Sequence, residues 1–126
     1  MKEKTITRES IKKLVHTFYP MILSDQITAP YFIAKLGSDI NSPTWQEHLE
    51  LLTNFWSSLA LGDGTYTGNP LGAHFSLEGL DKEAFDRWLK LFAKAIDKVY
   101  ENSAGEFFKQ RSQIIARNFM VNLGIS

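Results

Sequence analysis

Ser42-Pro43-Thr44-Trp45-Gln46-Glu47-His48-Leu49-Glu50-Leu51-Leu52-Thr53-Asn54-Phe55-Trp56-Ser57-Ser58-Leu59 is the stretch that decides the fold. It opens with a hydroxyl side chain able to cap a helix, followed by proline at the first helical position, where its missing N–H costs nothing. Trp45, His48/Leu49, Leu52, Phe55/Trp56 and Leu59 then recur every three or four residues. That spacing sustains a broad apolar face for four turns, so the segment is read as a long amphipathic helix.

The same period appears on both sides of it. Ile11, Leu14, Val15, Phe18, Ile22 and Leu23 follow Thr7, a candidate cap. Pro20 cannot donate to the carbonyl of His16, so this first helix is expected to kink near Tyr19 or restart there. Pro30 is read as part of a short connector before Tyr31 and Phe32, and residues 37 to 41 as a polar loop. Beyond the central helix, the stretch from Gly62 through Gly79 holds five glycines and Pro70. It is read as loop-rich, with at most a short helical segment from Leu71 to Phe75.

Periodicity returns with Leu80, Ala84/Phe85, Trp88, Leu91/Phe92, Ala95/Ile96 and Val99, with Asp81-Lys82-Glu83 placing acid at the first turn. A last helix is expected after Ser103 as cap, with the stripe Phe107/Phe108, Arg111/Ile115 and Phe119/Leu123 and with Gly124 as terminator. No alternating strand pattern competes with these four long helices. The fold class is all-α.

The chain has 126 residues, a length that suits one domain, assigned here to residues 1–126, with one real core. Fourteen basic residues balance 14 acidic ones, which argues against nucleic acid as the main partner because phosphate binding leaves a basic excess. No apolar run approaches the roughly 20 positions of a membrane helix, and the polar start Met1-Lys2-Glu3-Lys4-Thr5 shows no secretory signal. The expectation is therefore a cytoplasmic protein with no membrane partner. Absence of cysteine fits a reducing compartment without proving one.

With no thiolate, imidazole is the only borderline-soft metal ligand the chain has, and it has three: His16, His48 and His74. They lack the close spacing of a zinc site. No Walker-type Gly-Lys-Ser/Thr, HExxH, GxSxG or EF-hand loop occurs either. His48 lies at the rim of an apolar face, where it could gate a pocket or pack as a partly buried histidine. His74 is flanked by Leu71, Phe75 and Leu77, an apolar setting in which an imidazole needs a partner. A backbone hydrogen bond answers that need about as well as a metal. Trp88, Phe18, Phe92 and Phe119 taken singly are ordinary core residues, while Tyr19 and Trp88 become informative if their polar ends converge.

In their order and spacing, Phe18-Tyr19, Phe32, Trp45-Gln46-Glu47-His48, Asn54-Phe55-Trp56, Pro70-Leu71-Gly72-Ala73-His74 and Trp88-Leu89-Lys90-Leu91-Phe92 resemble the truncated haemoglobins. The likeness is strongest to their third group, which lacks the glycine pairs of the other two, and it runs from about Ile6 to about Asn118. The resemblance implies a truncated-globin fold, a two-over-two helical sandwich around haem b. It implies His74 as the proximal ligand to iron, Tyr19 and Trp88 as distal hydrogen-bond donors, and His48 as a distal residue at the pocket gate. Phe32 would pack on the porphyrin, Leu52, Phe55, Leu71, Phe92 and Phe18 would form the wall, and Trp56 would lie close to the haem edge. Lys35 and Arg87 are the charge candidates for the haem propionates.

The activity so implied is binding of dioxygen, nitric oxide or similar diatomic ligands at a histidine-ligated iron, within the oxygen-binding class that also includes oxygen transport. Two distal donors favour retention over release, which suits nitric oxide or peroxide chemistry with a reductase partner better than carriage. A haem-free globin-like module for signalling or protein association is the alternative, with His74 merely packed.

Overall fold

The computed structural model describes residues 2–62 and 81–123. Its elements in chain order are α1 (Arg8–Ser24), α2 (Ala29–Leu36), α3 (Pro43–Leu61), α4 (Lys82–Val99) and α5 (Asn102–Leu123). Among the described residues no strand forms, and the only β pairing is an isolated bridge from Glu3 to Tyr100. His74 and Leu71, the loop reading of residues 63–79, the side chain of Phe119 and the terminator Gly124 lie outside the described residues.

Three helices, α1, α3 and α4, begin at a side-chain cap. Thr7 and Ser10 form a reciprocal cap: the Ser10 N–H donates to Thr7 Oγ1 at 3.1 Å and the Thr7 N–H to Ser10 Oγ at 2.9 Å. Ser42 accepts from the Trp45 N–H at 3.3 Å with Pro43 behind it, and Asp81 accepts from the Ala84 N–H at 2.9 Å. Gly62 ends α3 at φ 66°, in the left-handed region that glycine enters without cost.

Three expectations about boundaries are corrected. The first helix does not restart at Tyr19 but runs on through Pro20 to Ser24. Pro20 and His16 are both exposed, so water can satisfy the carbonyl that the proline leaves without a donor. Pro30 belongs to the first turn of α2 rather than to a connector, a position its fixed φ favours. Ser103 does not cap α5: the Gly105 N–H bonds to the Glu101 carbonyl at 2.9 Å, which opens the helix earlier and puts Ser103 inside the first turn.

The core runs through α1, α3, α4 and α5, with Ile11, Leu14, Phe18, Ile22, Trp45, Leu49, Phe92, Ile96 and Phe108 wholly buried. α1 is the hub, packing on α2, α3 and α4, while α5 packs on α4. Gly105 permits the close α4–α5 approach, because a Cβ there would stand 2.7 Å from Ile96 Cγ2. The N-terminal segment straps across the α4–α5 corner through Glu3 N–H to Val99 O at 2.7 Å and Glu101 N–H to Glu3 O at 2.9 Å. Below it the Tyr100 and Ser10 hydroxyls are 2.6 Å apart, buried, tying the corner to the first turn of α1.

Candidate functional site

Phe18 and Tyr19 are carried inward by the buried face of α1, and α3 and α4 bring the other polar groups to meet them. The Tyr19 ring lies 5.5 Å from His48, 5.7 Å from Trp45 and 5.9 Å from Phe32. Phe18 touches Tyr19, Trp88 and Phe92 at 4.8, 5.3 and 4.9 Å, and Trp88 stacks on Phe92 at 5.1 Å. The rings mostly meet edge to face, which places positive ring edges against negative ring faces. Tyr19, His48 and Trp88 are thus brought into one ring cluster, with Phe32 and Phe92 on its sides and buried Leu52 in the same core.

Electrostatically the cluster is neutral. Burial pushes the Tyr19 phenol far above its ordinary range, and the neighbouring Trp88 indole opposes this only in part, so the phenol keeps its proton. His48 is only 9% exposed, not a rim residue as its position on the helix suggested, and burial lowers its pKa to about 4. Its imidazole is uncharged at neutral pH.

Trp56 is buried, stacked on Phe92 at 5.4 Å and edge-on to Phe108 at 5.5 Å. Phe55 is half-buried beside it at 5.1 Å. Of the two cationic candidates, Lys35 is exposed in the last turn of α2, whereas Arg87 is engaged elsewhere. Its Nε and Nη2 both lie 2.7 Å from Asp25 Oδ1.

Trp45 and Asp25 are the residues that sequence reasoning left out of the site. Trp45 is fully buried against Tyr19 and His48, and its Nε1–H donates to the Gly37 carbonyl at 2.8 Å. The signal was its place one turn before His48 on the same face. Asp25 is a clamp: Oδ2 accepts from the N–H groups of Ile27 and Thr28, both at 3.1 Å, while Oδ1 holds Arg87 beside Trp88. The α1–α2 corner is thereby tied to the segment of α4 that presents the indole.

Burial would raise the Asp25 carboxyl, but the hydrogen bonds from Arg87, Thr28 and Ile27 outweigh it and hold the group below its ordinary range. A depressed folded-state value makes this stabilisation complete above the unfolded pKa, and it is lost as pH falls through the folded one. Asp25→Ala is expected to cost about 2 kcal/mol at pH 7, the scale of hydrogen bonds to a charged group. In urea denaturation the gap between variant and wild type should close as pH drops below the usual carboxylate range. A gap independent of pH would rule the clamp out.

Comparison with known proteins agrees with this geometry. The family model of bacterial-like globins matches residues 3–117. The chain belongs to that family, and its fold is the all-α truncated-globin fold. Within the family its likeness is to the third group: it is 38% identical to the group 3 truncated haemoglobin of Campylobacter jejuni over 119 residues, 94% of this chain and 92% of that one. The crystal structure of group III truncated haemoglobin from Campylobacter jejuni superposes with a TM-score of 0.89 at 37% identity, covering 98% of this chain and 95% of the other. Membership implies a haem cofactor and binding of diatomic ligands such as oxygen. Among the described residues, no helix is long and apolar enough to cross a membrane.

The donor set suits such a group. Among the described residues, a buried phenol, an indole N–H and a neutral imidazole share a wall of phenyl rings with no carboxylate or cation among them. An apolar pocket with a few convergent polar groups is what a cofactor with a small polar ligand requires.

Proposed function

We propose that the chain holds haem b with His74 as axial ligand and binds diatomic ligands on the side formed by Tyr19, Trp88 and His48, for nitric oxide or peroxide chemistry rather than oxygen transport. The supporting observation is the convergence of Tyr19, His48 and Trp88 on one neutral ring cluster in the core. With no cysteine in the chain, the thioether attachment of a c-type haem is not open to it. When bound, haem supplies an iron to which dioxygen, nitric oxide or a peroxide can attach.

The residues then act as follows. Tyr19 stays protonated at any ordinary pH and offers an O–H donor. Trp88 offers its indole N–H as a second donor on the same side. His48, uncharged, adds a polarisable edge without the cost of a buried cation. Phe18, Phe32, Leu52 and Phe92 exclude water, which raises the worth of each hydrogen bond. Phe55, Trp56 and Leu71 complete the proposed wall.

A donor to bound dioxygen is worth about 1 to 1.5 kcal/mol, roughly tenfold in residence time if expressed wholly in dissociation. Slow release is poor carriage but leaves time for a second molecule or an electron to arrive. Turnover requires a reductase to restore ferrous iron, a partner found in the cytoplasm.

Titration with haemin is expected to give a sharp Soret band saturating at equimolar haem. With a competent reductase, nitric oxide and dioxygen, nitrate should form above the rate of free haemin; equality with free haemin would exclude nitric oxide dioxygenation. A diffuse, unsaturable spectrum would favour a haem-free module. Tyr19→Phe is expected to speed dioxygen dissociation about tenfold, read by stopped-flow displacement with carbon monoxide. An unchanged off-rate would remove Tyr19 from the ligand side.

A further inference from the structure

The aromatic cluster does not stop at the distal residues. Trp88 stacks on one side of the core ring Phe92, at 5.1 Å and 25°, and Trp56 stacks on the same ring at 5.4 Å and 26°. Two indoles of α3 and α4 are therefore bridged by a single phenyl ring. Beyond Trp56 the series continues through Phe108 at 5.5 Å to Tyr100, stacked on Phe108 at 5.0 Å. Close-packed π systems couple electronically, and among protein side chains indole and phenol surrender an electron far more readily than phenyl.

We propose that Trp88, Phe92 and Trp56 form a path by which Trp56 gives an electron to an oxidant in the distal pocket, so that oxidising equivalents leave the cofactor and rest on Trp56. This rests on the haem reading above. The oxidant is a peroxide reacting at haem. Reduction of one peroxide to two waters takes two electrons and two protons. One electron comes from the haem iron, ferrous before the reaction and ferric after it, and one from Trp88, which is refilled from Trp56 across Phe92; the two protons come from solvent. Trp56 is left as an indole radical cation with its N–H proton in place.

Two features make Trp56 the resting place. Three phenyl rings surround it, Phe55 at 5.1 Å, Phe92 at 5.4 Å and Phe108 at 5.5 Å, so a positive charge there meets π density from several directions. Trp88 lies between Phe18 and Phe92 on the side of Tyr19, where it meets the oxidant first and passes the electron on. Tyr100 is a poor terminus because phenol oxidation requires proton loss. Burial pushes its pKa up to about 12, and its hydroxyl meets that of Ser10, which is no base.

The test is freeze-quench electron paramagnetic resonance of the haem-loaded ferrous protein mixed anaerobically with one equivalent of hydrogen peroxide, in wild type, Trp56→Phe, Trp88→Phe and Tyr100→Phe. Each sample is first checked for its Soret band and for its urea denaturation midpoint. Failure to take up haem sinks the functional reading itself, independently of the radical. The expected result is a tryptophan radical, identified by narrowing on indole deuteration, that is lost in Trp56→Phe and retained in Tyr100→Phe. In Trp88→Phe its appearance should be slowed. Persistence of the same signal in Trp56→Phe, or a tyrosyl radical in wild type, overturns the proposal. If Trp56→Phe does not fold, Phe92→Leu replaces it: removal of the bridging ring should suppress the Trp56 signal, and an undiminished signal overturns the proposal equally.

Discussion

His74→Ala is expected to abolish the sharp Soret band that haemin gives with the wild-type chain, leaving only a broad nonspecific spectrum. The effect should exceed the roughly 10- to 100-fold loss of affinity that follows removal of an outer-shell partner at a metal site, because here the iron ligand itself is deleted. The chain has no substitute. Cysteine is absent and only two other histidines exist. His16 is on the exposed face of α1, where partial desolvation and then Lys12 lower its pKa, and His48 is buried in the Tyr19 and Trp45 rings. Neither can take over the axial position without dismantling the core. Added imidazole should restore part of the Soret band in His74→Ala, whereas His16→Ala should match wild type. A wild-type spectrum from His74→Ala would refute the axial assignment and return His74 to the role of a packed histidine.

How much of this could be read from residue order differs by kind of feature. Elements with strong periodicity and a chemical cap were legible almost to the residue: Thr7, Ser42 and Asp81 each stand where their helix begins. What failed was proline. Pro20 sits inside α1 and Pro30 in the first turn of α2, because local sequence does not reveal which carbonyls water can reach or where a fixed φ is an advantage. Tyr19, His48 and Trp88 each carried a bland reading when taken alone, and it is their meeting across α1, α3 and α4 that gives them joint meaning. Asp25 and Arg87 are 62 residues apart, with no periodic signal connecting them, so their pairing belongs to tertiary structure alone. Arg87 looked available to a cofactor carboxylate only because its carboxylate partner within the chain was invisible.

Trp45→Ala is expected to be the most damaging substitution outside the iron ligand, since it removes a wholly buried indole that joins fold to site. Trp45 touches Phe32 at 6.3 Å, Tyr19 at 5.7 Å and His48 at 5.5 Å, and its indole N–H fixes the Gly37 carbonyl at 2.8 Å. Truncation of a buried tryptophan costs about 3 to 5 kcal/mol, and losing the partner of Gly37 adds about 1 kcal/mol. Against a total stability of roughly 5 to 15 kcal/mol, that is enough to unfold a large share of the molecules near physiological temperature. The void would open beside Tyr19 and His48, so water would reach the phenol that burial now holds protonated. Trp45→Phe separates the two losses. It keeps most of the ring volume and deletes only the hydrogen bond, so it should cost about 1 to 2 kcal/mol and leave the haem spectrum in place. Urea denaturation followed by far-ultraviolet circular dichroism measures both. If Trp45→Ala proved no worse than Trp45→Phe, packing of the indole against Tyr19 and His48 would contribute nothing, and the coupling of core to ligand side through this residue would be wrong.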